Sequence, residues 1–382
     1  MMENNVLEII ASETEGKSHK AYKYSIENNQ YSPIDYDDPA KIKWKAIGET
    51  AYHDGPISVF DKAEKWKNKR PLFTYFLDGS RRVYKVDDIA YANKVYPIIA
   101  GQIGISCCQR INHRMKKHSF EKRLVIALPE IACGDDWGKK NFFERLKDKI
   151  NENDLRLKRH HIKFTDILDY STTVDNDGMD KKGIAVIQDL MVKKEIEAVN
   201  KLVSSGVVDY DNYLMKDGSL EYKVDHFKSE TERSNFQMMF HYVVGVSKSF
   251  NPENCIDKRD HNNSDLIANL EPYERTPVCL YQTKRLPGMS YAVWYLRIRN
   301  RKYTTNAFDG ILKIEKILPN NDVDTKLDSE EVDLISANII NERNPTCYGV
   351  DHRWANHLYP IFVTESYAKS QYMSNTMFLN LF

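Results

Sequence analysis

The stretch FTYFLDGSRRVYKV, from Phe73 to Val86, decides how the rest of this chain is interpreted. An apolar run typical of a β-strand ends on Asp78-Gly79-Ser80, and a second strand-like run follows. Asp-Gly is a favoured dipeptide of tight hairpin turns because it tolerates positive φ. Taken alone, the stretch predicts two strands joined by a turn.

The same pattern occurs a second time. NYLMKDGSLEYKV, from Asn212 to Val224, again places an Asp-Gly-Ser, beginning at Asp217, after a short apolar run. A repeated carboxylate at the end of an apolar run has two interpretations, which are two ordinary turns or two parts of one site. The order of the elements between the two repeats favours the second interpretation.

Composition limits what this chain can do. Its 382 residues contain 55 Lys plus Arg and 55 Asp plus Glu, so any binding to nucleic acid must come from local basic patches. The six cysteines include no C-x-x-C pair, which argues against a zinc knuckle or a disulfide framework. Without a signal peptide or an apolar run long enough to cross a bilayer, the sequence predicts a cytoplasmic protein that does not bind membranes.

The predicted elements follow an α/β order. Three strand-like runs with short loops, beginning near residue 71, are typical of an antiparallel meander. A long amphipathic helix from Lys182 ends at Gly206, and the second Asp-Gly-Ser strand follows it. Further strands and helices complete the chain. We predict an N-terminal extension over residues 1–70 and one domain over residues 71–382, with an insertion at about 106–180.

This order is that of an RNase H-like core, which is built on a mixed α/β sheet. Such a core places one carboxylate on its first strand, one on its first helix and one at the end of its fourth strand. Asp78 and Asp217 take the two strand positions. The helix offers Asp189, Glu195 and Glu197, and Glu195 lies beside the apolar stripe, where a charge needs a partner or a metal. We favour Glu195, with Glu197 as the alternative.

Clustered carboxylates point to metal-dependent phosphoryl chemistry. In-line hydrolysis of a phosphodiester requires charge neutralisation on the attacking and leaving oxygens, which two divalent cations roughly 4 Å apart supply. Mg²⁺ and Mn²⁺ are hard ions that prefer carboxylate oxygens. The sequence therefore predicts a two-metal site for Mn²⁺ or Mg²⁺ on Asp78, Glu195 and Asp217.

Five motifs, in this order, resemble the NurA nuclease family, which works with the hexameric ATPase HerA in processing DNA ends. The motifs are LDGSRR (Leu77 to Arg82), KDGSL (Lys216 to Leu220), VVGVSKSF (Val243 to Phe250), WYLRIR (Trp294 to Arg299) and YPIFVTESYAKS (Tyr359 to Ser370). The resemblance covers the chain from about residue 70 to the C terminus. It implies a metal-dependent deoxyribonuclease that forms a homodimer and docks on a HerA-like ATPase ring, in DNA repair or antiviral defence.

The resemblance also implies roles for individual residues. Asp78, Glu195 and Asp217 would be the metal-binding catalytic acids, and Lys248 would lie near the site as a strand-end cation able to meet the scissile phosphate. Arg81, in the first motif, joins the residues expected to bind DNA.

One position departs from the family pattern. The last motif of the family usually carries a histidine where this chain has Tyr367. A phenol is a poor replacement because it stays protonated near neutral pH. Glu365 is our candidate for the additional metal ligand, and His352 and His357 are the alternatives.

A strand in the last third of the chain predicts a DNA-binding surface. In YAVWYLRIRNRK, which starts at Tyr291, alternation places Tyr295, Arg297 and Arg299 on the face opposite Trp294. An Arg-rich face with one aromatic ring suits contact with a single strand of DNA. Two basic runs, Arg110 to Arg123 and Arg156 to Lys163, are either solvated loops or contacts with phosphates or a partner.

Two other functions remain open. A catalytically weak adaptor subunit of an ATPase complex is favoured by the missing histidine, and an Argonaute-like guide-dependent nuclease would share the same core. The repeated Asp-Gly-Ser acids argue against the adaptor, and the chain is short for the accessory domains of the second alternative.

Overall fold

The computed structural model describes residues 5–26, 42–43, 48–51, 53, 55–134, 138–173, 178–223, 227, 229–256, 261–282, 289–304, 306–318, 326–345 and 352–382. The strands in this part of the chain are β1 (Lys17–His19), β2 (Tyr24–Ser25), β3 (Ile42–Lys43), β4 (Ile57–Ser58), β5 (Phe73–Tyr91), β6 (Lys94–Ile111), β7 (Arg114–Pro129), β8 (Asp166–Tyr170), β9 (Tyr213–Asp217), β10 (Val243–Ser247), β11 (Cys255–Ile256), β12 (Glu274–Arg275), β13 (Cys279–Gln282), β14 (Ser290–Arg297) and β15 (Ile311–Ile317). The helices are α1 (Val6–Glu13), α2 (Phe60–Trp66), α3 (Lys139–Asn153), α4 (Leu155–Arg159), α5 (Met179–Ser204), α6 (Glu230–Met239), α7 (Ser264–Ala268), α8 (Ser329–Asn341), α9 (Tyr359–Ser370) and α10 (Asn375–Leu379).

One large mixed sheet organises the molecule. At its centre, β5, β6 and β7 form an antiparallel meander, β9 lies parallel to β5 on the other side, and β10 lies parallel to β9. Counted from β5, the spatial order is 3-2-1-4-5, which is the order of an RNase H-like core. The predicted mixed α/β fold is confirmed. Strands β15 and β14 extend the sheet beyond β10, and β8 extends it beyond β7.

The first Asp-Gly-Ser is not a turn. Strand β5 runs without a break from Phe73 to Tyr91 and stays paired with β6 through Asp78 and Gly79. The predicted hairpin turn at this position is wrong, because the apolar runs on both sides pair with one long partner strand. The chain reverses only after Tyr91, where Ala92 takes a φ of 50°.

The second Asp-Gly-Ser is a turn. Strand β9 ends at Asp217, and Gly218 follows with a φ of 82°, which glycine adopts without steric strain. Glu315 of β15 holds the turn by accepting hydrogen bonds from the Ser219 hydroxyl (2.7 Å) and from the backbone N–H of Leu220 (2.6 Å). The two copies of one motif therefore have different backbone conformations.

Helices cover both faces of the central strands. On one face, Leu77 of β5 packs in the same apolar cluster as Val199 of α5. On the other face, Phe76 of β5 shares a cluster with Ile361 of α9. Because successive side chains of a strand point to opposite faces, Asp78 faces the α9 side and Gly79 faces the α5 side.

The predicted domain boundaries stay predictions. In the described part of the N-terminal segment, β1 and β2 pair with β5, and β4 pairs with β12. The proposed insertion begins within β6 and includes β7, the third strand of the meander, so only the part after Pro129 lies outside the meander.

Strands β3 and β11 form a separate parallel pair. Among the described residues, every helix is too short or too polar to cross a lipid bilayer.

Candidate active site

The two Asp-Gly-Ser acids lie side by side. In the parallel pairing of β5 with β9, Leu77 is opposite Lys216, so the next residues, Asp78 and Asp217, are neighbours at the same end of the sheet. Asp217 is in turn opposite Val246 of β10, and Lys248 follows just after that strand ends. The strand register thus brings together three residues that the sequence predicts to act together.

Asp78 is a buried carboxylate. Its side chain belongs to a residue only 4% exposed, and its Oδ2 atom has no hydrogen-bond partner within the described residues. Burial raises the pKa of Asp78 well above its usual value, and the nearby charge of Asp217 raises it further. A buried carboxylate oxygen without a hydrogen-bond donor is energetically unfavourable. Oδ2 of Asp78 is therefore a candidate ligand for a cation.

Lys248 lies at the centre of the acids. Its Nζ is 2.8 Å from Oδ2 of Asp217 and 3.2 Å from Oε2 of Glu365 on α9. Burial opposes the charge of Lys248, but the surrounding carboxylates outweigh it and raise the pKa of the ammonium group. For Glu365, burial is likewise outweighed by Lys248 and Lys369, which lower the pKa to about 2.

Glu195 reaches the site from the opposite face of the sheet. This residue of α5 is 3% exposed, and its Oε2 is 3.0 Å from Nζ of Lys216. Burial raises the pKa of Glu195 and outweighs Lys216 and the nearby backbone N–H of Gly79, which favour the charged carboxylate. A Cβ placed on Gly79 would lie 2.1 Å from Oε1 of Glu195, so only glycine leaves room for this approach.

The other two acids of the helix face elsewhere. Glu197 pairs with Lys194 at 2.7 Å, and Asp189 pairs with Lys223 at 3.2 Å, both at the surface of the protein. The structure therefore places Glu195, and not Glu197, against Gly79, the residue that follows Asp78 in β5.

Lys216 was not foreseen from the sequence. It is 4% exposed, pairs with Glu195, and donates to the backbone carbonyl of Asp217 at 2.8 Å. The signal was present, since a lysine directly before Asp217 in a strand must point to the face opposite that aspartate, which is the α5 face.

Glu365 is the residue of the last motif that faces the acids. The ring of Tyr367 packs edge-on against Phe120 of β7, with centroids 5.6 Å apart. Residues two positions apart in an α-helix are separated by roughly 200° around its axis. The side chain of Tyr367 therefore points away from that of Glu365. His357 is buried and stacks on Phe362 at 6.0 Å, while the side chain of His352 lies outside the described residues.

The predicted DNA-binding face of β14 is wrong. Strand β14 is buried on both faces, because Trp294 packs with α8 on one face and Tyr295 packs with α7 on the other. Arg297 is 0% exposed and donates to the carbonyls of Ala268 and Ala307. Arg299 is also buried and donates to the carbonyl of Ala355, while Tyr295 packs against Phe250.

Arg81 is a weaker candidate than expected. Its Nε donates to Oε1 of Gln188 on α5 at 2.5 Å. The residue is half-buried on the α5 face of β5, so it stays a prediction as a DNA contact.

The chemistry of the donors fits a hard divalent cation, but their present positions do not form a closed metal site. Within the part of the chain that the structure describes, no three acidic, histidine or cysteine side chains are grouped closely enough to hold an ion. Lys248 and Lys216 lie against Asp217, Glu365 and Glu195 instead. The unsatisfied Oδ2 of Asp78 and the all-oxygen donor set are the features that suit Mg²⁺ or Mn²⁺.

The strand order and the carboxylates at its centre define the class of the protein, which is a mixed α/β protein with an RNase H-like core. Among solved structures, the chain is similar to the NurA nuclease from Sulfolobus solfataricus, at a TM-score of 0.42 and 10% sequence identity, over 81% of this chain and 86% of that chain. No protein-family model matches the sequence, and no curated protein matches it either.

Proposed function

We propose that this protein is a metal-dependent deoxyribonuclease that hydrolyses phosphodiester bonds. The observation that carries the proposal is the buried Asp78, whose Oδ2 has no hydrogen-bond partner among the described residues, beside Asp217 and near Glu365 and Glu195. Four acids at one end of a sheet are an unfavourable arrangement unless they serve to bind cations.

The acids of the two faces have different parts in this proposal. Asp78, Asp217 and Glu365 on the α9 face would hold the metal, and Glu195 would reach it through the space left by Gly79. A divalent cation supplies charge neutralisation for the phosphate and a nucleophilic hydroxide near neutral pH.

Lys248 and Lys216 would keep the carboxylates in place by charge. The Nζ atom of Lys248 is 2.8 Å from the carboxylate of Asp217, on the face of the sheet where the metal would lie, so Lys248 would also contact the scissile phosphate.

The partners follow from the resemblance described from the sequence. We propose a homodimer that acts with a HerA-like hexameric ATPase on single-stranded DNA or DNA ends, in repair or antiviral defence. The net charge of zero supports a need for a motor, because a protein without an overall positive charge binds DNA weakly by itself.

The adaptor function remains the second candidate, and one observation favours it. The lysines already neutralise three of the four acids, so a metal would have to compete with them. A catalytically inactive adaptor would keep this arrangement permanently and would bind no metal.

A cleavage assay and a metal titration separate the two candidates. We expect labelled DNA to be cleaved in Mn²⁺ or Mg²⁺, more strongly with the ATPase present, and we expect Asp78→Asn and Asp217→Asn each to abolish cleavage while the protein stays folded. Calorimetry should detect Mn²⁺ binding to the wild type that Asp78→Asn weakens. Near-wild-type cleavage by either variant, or no Mn²⁺ binding to the wild type, would exclude the nuclease.

A further inference from the structure

The outer edge of strand β7 is largely uncovered. Strand β8 pairs with β7 only from Val125 to Pro129, and no described strand pairs with the part from Arg114 to Leu124 on that side. This part is joined to β6 by a two-residue turn, in which Asn112 and His113 both have positive φ. The edge therefore presents backbone N–H and C=O groups as well as side chains.

Three basic side chains on this edge carry unneutralised charge. Arg114, Lys116 and Lys117 are exposed, and within the described residues their side chains make no ion pair. Elsewhere along β7, Arg123 is paired with Glu121 and Asp166. The tip of the hairpin is thus a local positive patch on a protein whose net charge is zero.

The strand register places this patch near the acids. Asp78 is opposite Ser106 of β6, which is opposite Phe120 of β7. In the adjacent row, Phe76 is opposite Cys108, which is opposite Lys117. With strands about 4.8 Å apart and residues about 3.4 Å apart along a strand, the Cα atoms of Lys117 and Asp78 are about 12 Å from each other on the same face. Arg114 and Lys116 are opposite Ile111 and Gln109 of β6, so they point to the other face at the tip of the hairpin.

An aromatic pair lies between the patch and the acids. Phe120 of β7 and Tyr367 of α9 are both half-buried and pack edge-on, two residues along α9 from Glu365. A positive edge followed by partly exposed rings is the combination that binds single strands, since phosphates meet the cations and bases stack on the rings.

We propose that the uncovered edge of the β6–β7 hairpin and the Phe120–Tyr367 pair guide a single strand of DNA to Asp78. The strand would pass around this edge, meeting Arg114 and Lys116 on one face of the sheet and Lys117 on the face of Asp78. The proposal rests on the proposed nuclease function for the identity of the strand. It assigns to Tyr367 the stacking of a base.

Lysines on an edge strand also have a simpler use, which is to prevent the edge from pairing with another chain. Replacement by glutamine separates the two uses by its result. Loss of a phosphate contact lowers the salt dependence of DNA binding, whereas loss of edge protection leads to self-association without that change. A matched control exists in Lys158, Arg159 and Lys163, which are also exposed basic residues whose side chains make no ion pair within the described residues.

The test is fluorescence anisotropy of a labelled oligodeoxythymidine in EDTA, over a series of salt concentrations. For the triple variant Arg114→Gln, Lys116→Gln, Lys117→Gln we expect weaker binding and a slope of log K against log salt that is smaller by about 2, since each lost phosphate contact on a single strand removes about 0.7. Tyr367→Leu should weaken binding about five- to a hundredfold and leave the slope unchanged. The control triple variant with glutamine at 158, 159 and 163 should keep the wild-type slope.

Several results overturn the proposal. The first is an unchanged slope of log K against log salt in the hairpin variant, with or without self-association of that variant. The second is a smaller slope in the control variant instead. The third is no DNA binding by the wild type at low salt. Cleavage by the hairpin variants and by Asp78→Asn is measured in parallel. If the hairpin variant binds like the wild type while Asp78→Asn loses cleavage, this surface is wrong and the nuclease stands. If the wild type cleaves nothing but the slope still falls, the nuclease is wrong and the surface stands.

Discussion

The carboxylate of Glu195 occupies the space that a side chain at position 79 would need, with Oε1 only 2.1 Å from where a Cβ of residue 79 would lie. Gly79 is in the middle of a paired strand, where glycine is normally unfavourable. Its presence in the Asp-Gly-Ser motif is therefore explained by the approach of a helix carboxylate and not by a turn.

Gly79→Ala should disturb the site more than its size suggests. The added methyl group has to displace Glu195 from Gly79 and Lys216, and such overpacking typically destabilises a protein by about 1–3 kcal/mol. We expect lower stability to urea and loss of cleavage, with stability partly restored in the double variant Gly79→Ala, Glu195→Ala. Gly55→Ala is the control, since a Cβ there would meet nothing within 4 Å. Equal stability of the two single variants would contradict the close approach.

Asp78→Asn should stabilise the metal-free protein even as it abolishes cleavage. Burial first, and then Asp217, raise the folded-state pKa of Asp78 above the value of about 3.9 expected in an unfolded chain. The unfolded chain therefore loses this proton first, and the stability of the wild type falls as pH rises from about 4 through the raised pKa. Asparagine does not ionise, so the variant should become increasingly more stable than the wild type as pH rises.

Urea unfolding in EDTA between pH 4 and pH 8 measures this difference. If the difference in the free energy of unfolding between Asp78→Asn and the wild type stays constant over the whole pH range, the folded protein does not disfavour the charged form of Asp78.

Lys248→Met should make the folded protein depend on added metal. Removing one partner of a buried ion pair leaves the other charge uncompensated, which costs about 3–5 kcal/mol. Asp217 and Glu365 would lose their shared cation, so we expect a lower melting temperature in EDTA and a larger rise on adding Mn²⁺ than in the wild type. If Mn²⁺ does not stabilise this variant, the acids do not form a cation site.

Lys369→Met provides the comparison for Lys248→Met. Lys369 also pairs with Glu365, at 2.6 Å, but its side chain is 47% exposed. Exposed ion pairs contribute about 0–1 kcal/mol, so this variant should melt close to the wild type.

Arg297→Ala should reduce stability and leave DNA binding intact. The guanidinium group donates to the carbonyls of Ala268, Ala307 and Asp309, and the truncation would remove these three partly buried hydrogen bonds. A typical hydrogen bond contributes about 0.5–1.5 kcal/mol to stability. In the fraction that remains folded, the salt dependence of DNA binding should equal that of the wild type. A smaller salt slope would mean that the side chain reaches DNA after all.

The sequence predicted the parts of the site that depend on local periodicity and element order. Helix α5, strand β9 and the positions of Asp78 and Asp217 follow from patterns that short windows contain. Glu195 was favoured over Glu197 because it borders the apolar stripe, and its burial agrees with that reasoning.

The features that could not be predicted depend on distant partners. Asp-Gly is a turn signal in most contexts, and only the long pairing of β5 with β6 shows that it is strand here. Alternation in β14 indicated two faces, but whether a face is exposed depends on elements such as α7 and α8, which come from elsewhere in the chain and cover it. The role of Gly79 required the position of a helix more than 100 residues away.

The place of Lys248 has a thermodynamic consequence. Because the ammonium group is shared between Asp217 and Glu365, a phosphate that attracts it would release both acids for a metal, and a metal that takes the acids would release the ammonium group for a phosphate. Strand and metal would then each increase the affinity of the protein for the other, by the same factor. With such reciprocal coupling, the protein would bind metal weakly when no DNA is bound. Hydrolysis would then occur only when a DNA strand is bound at the site.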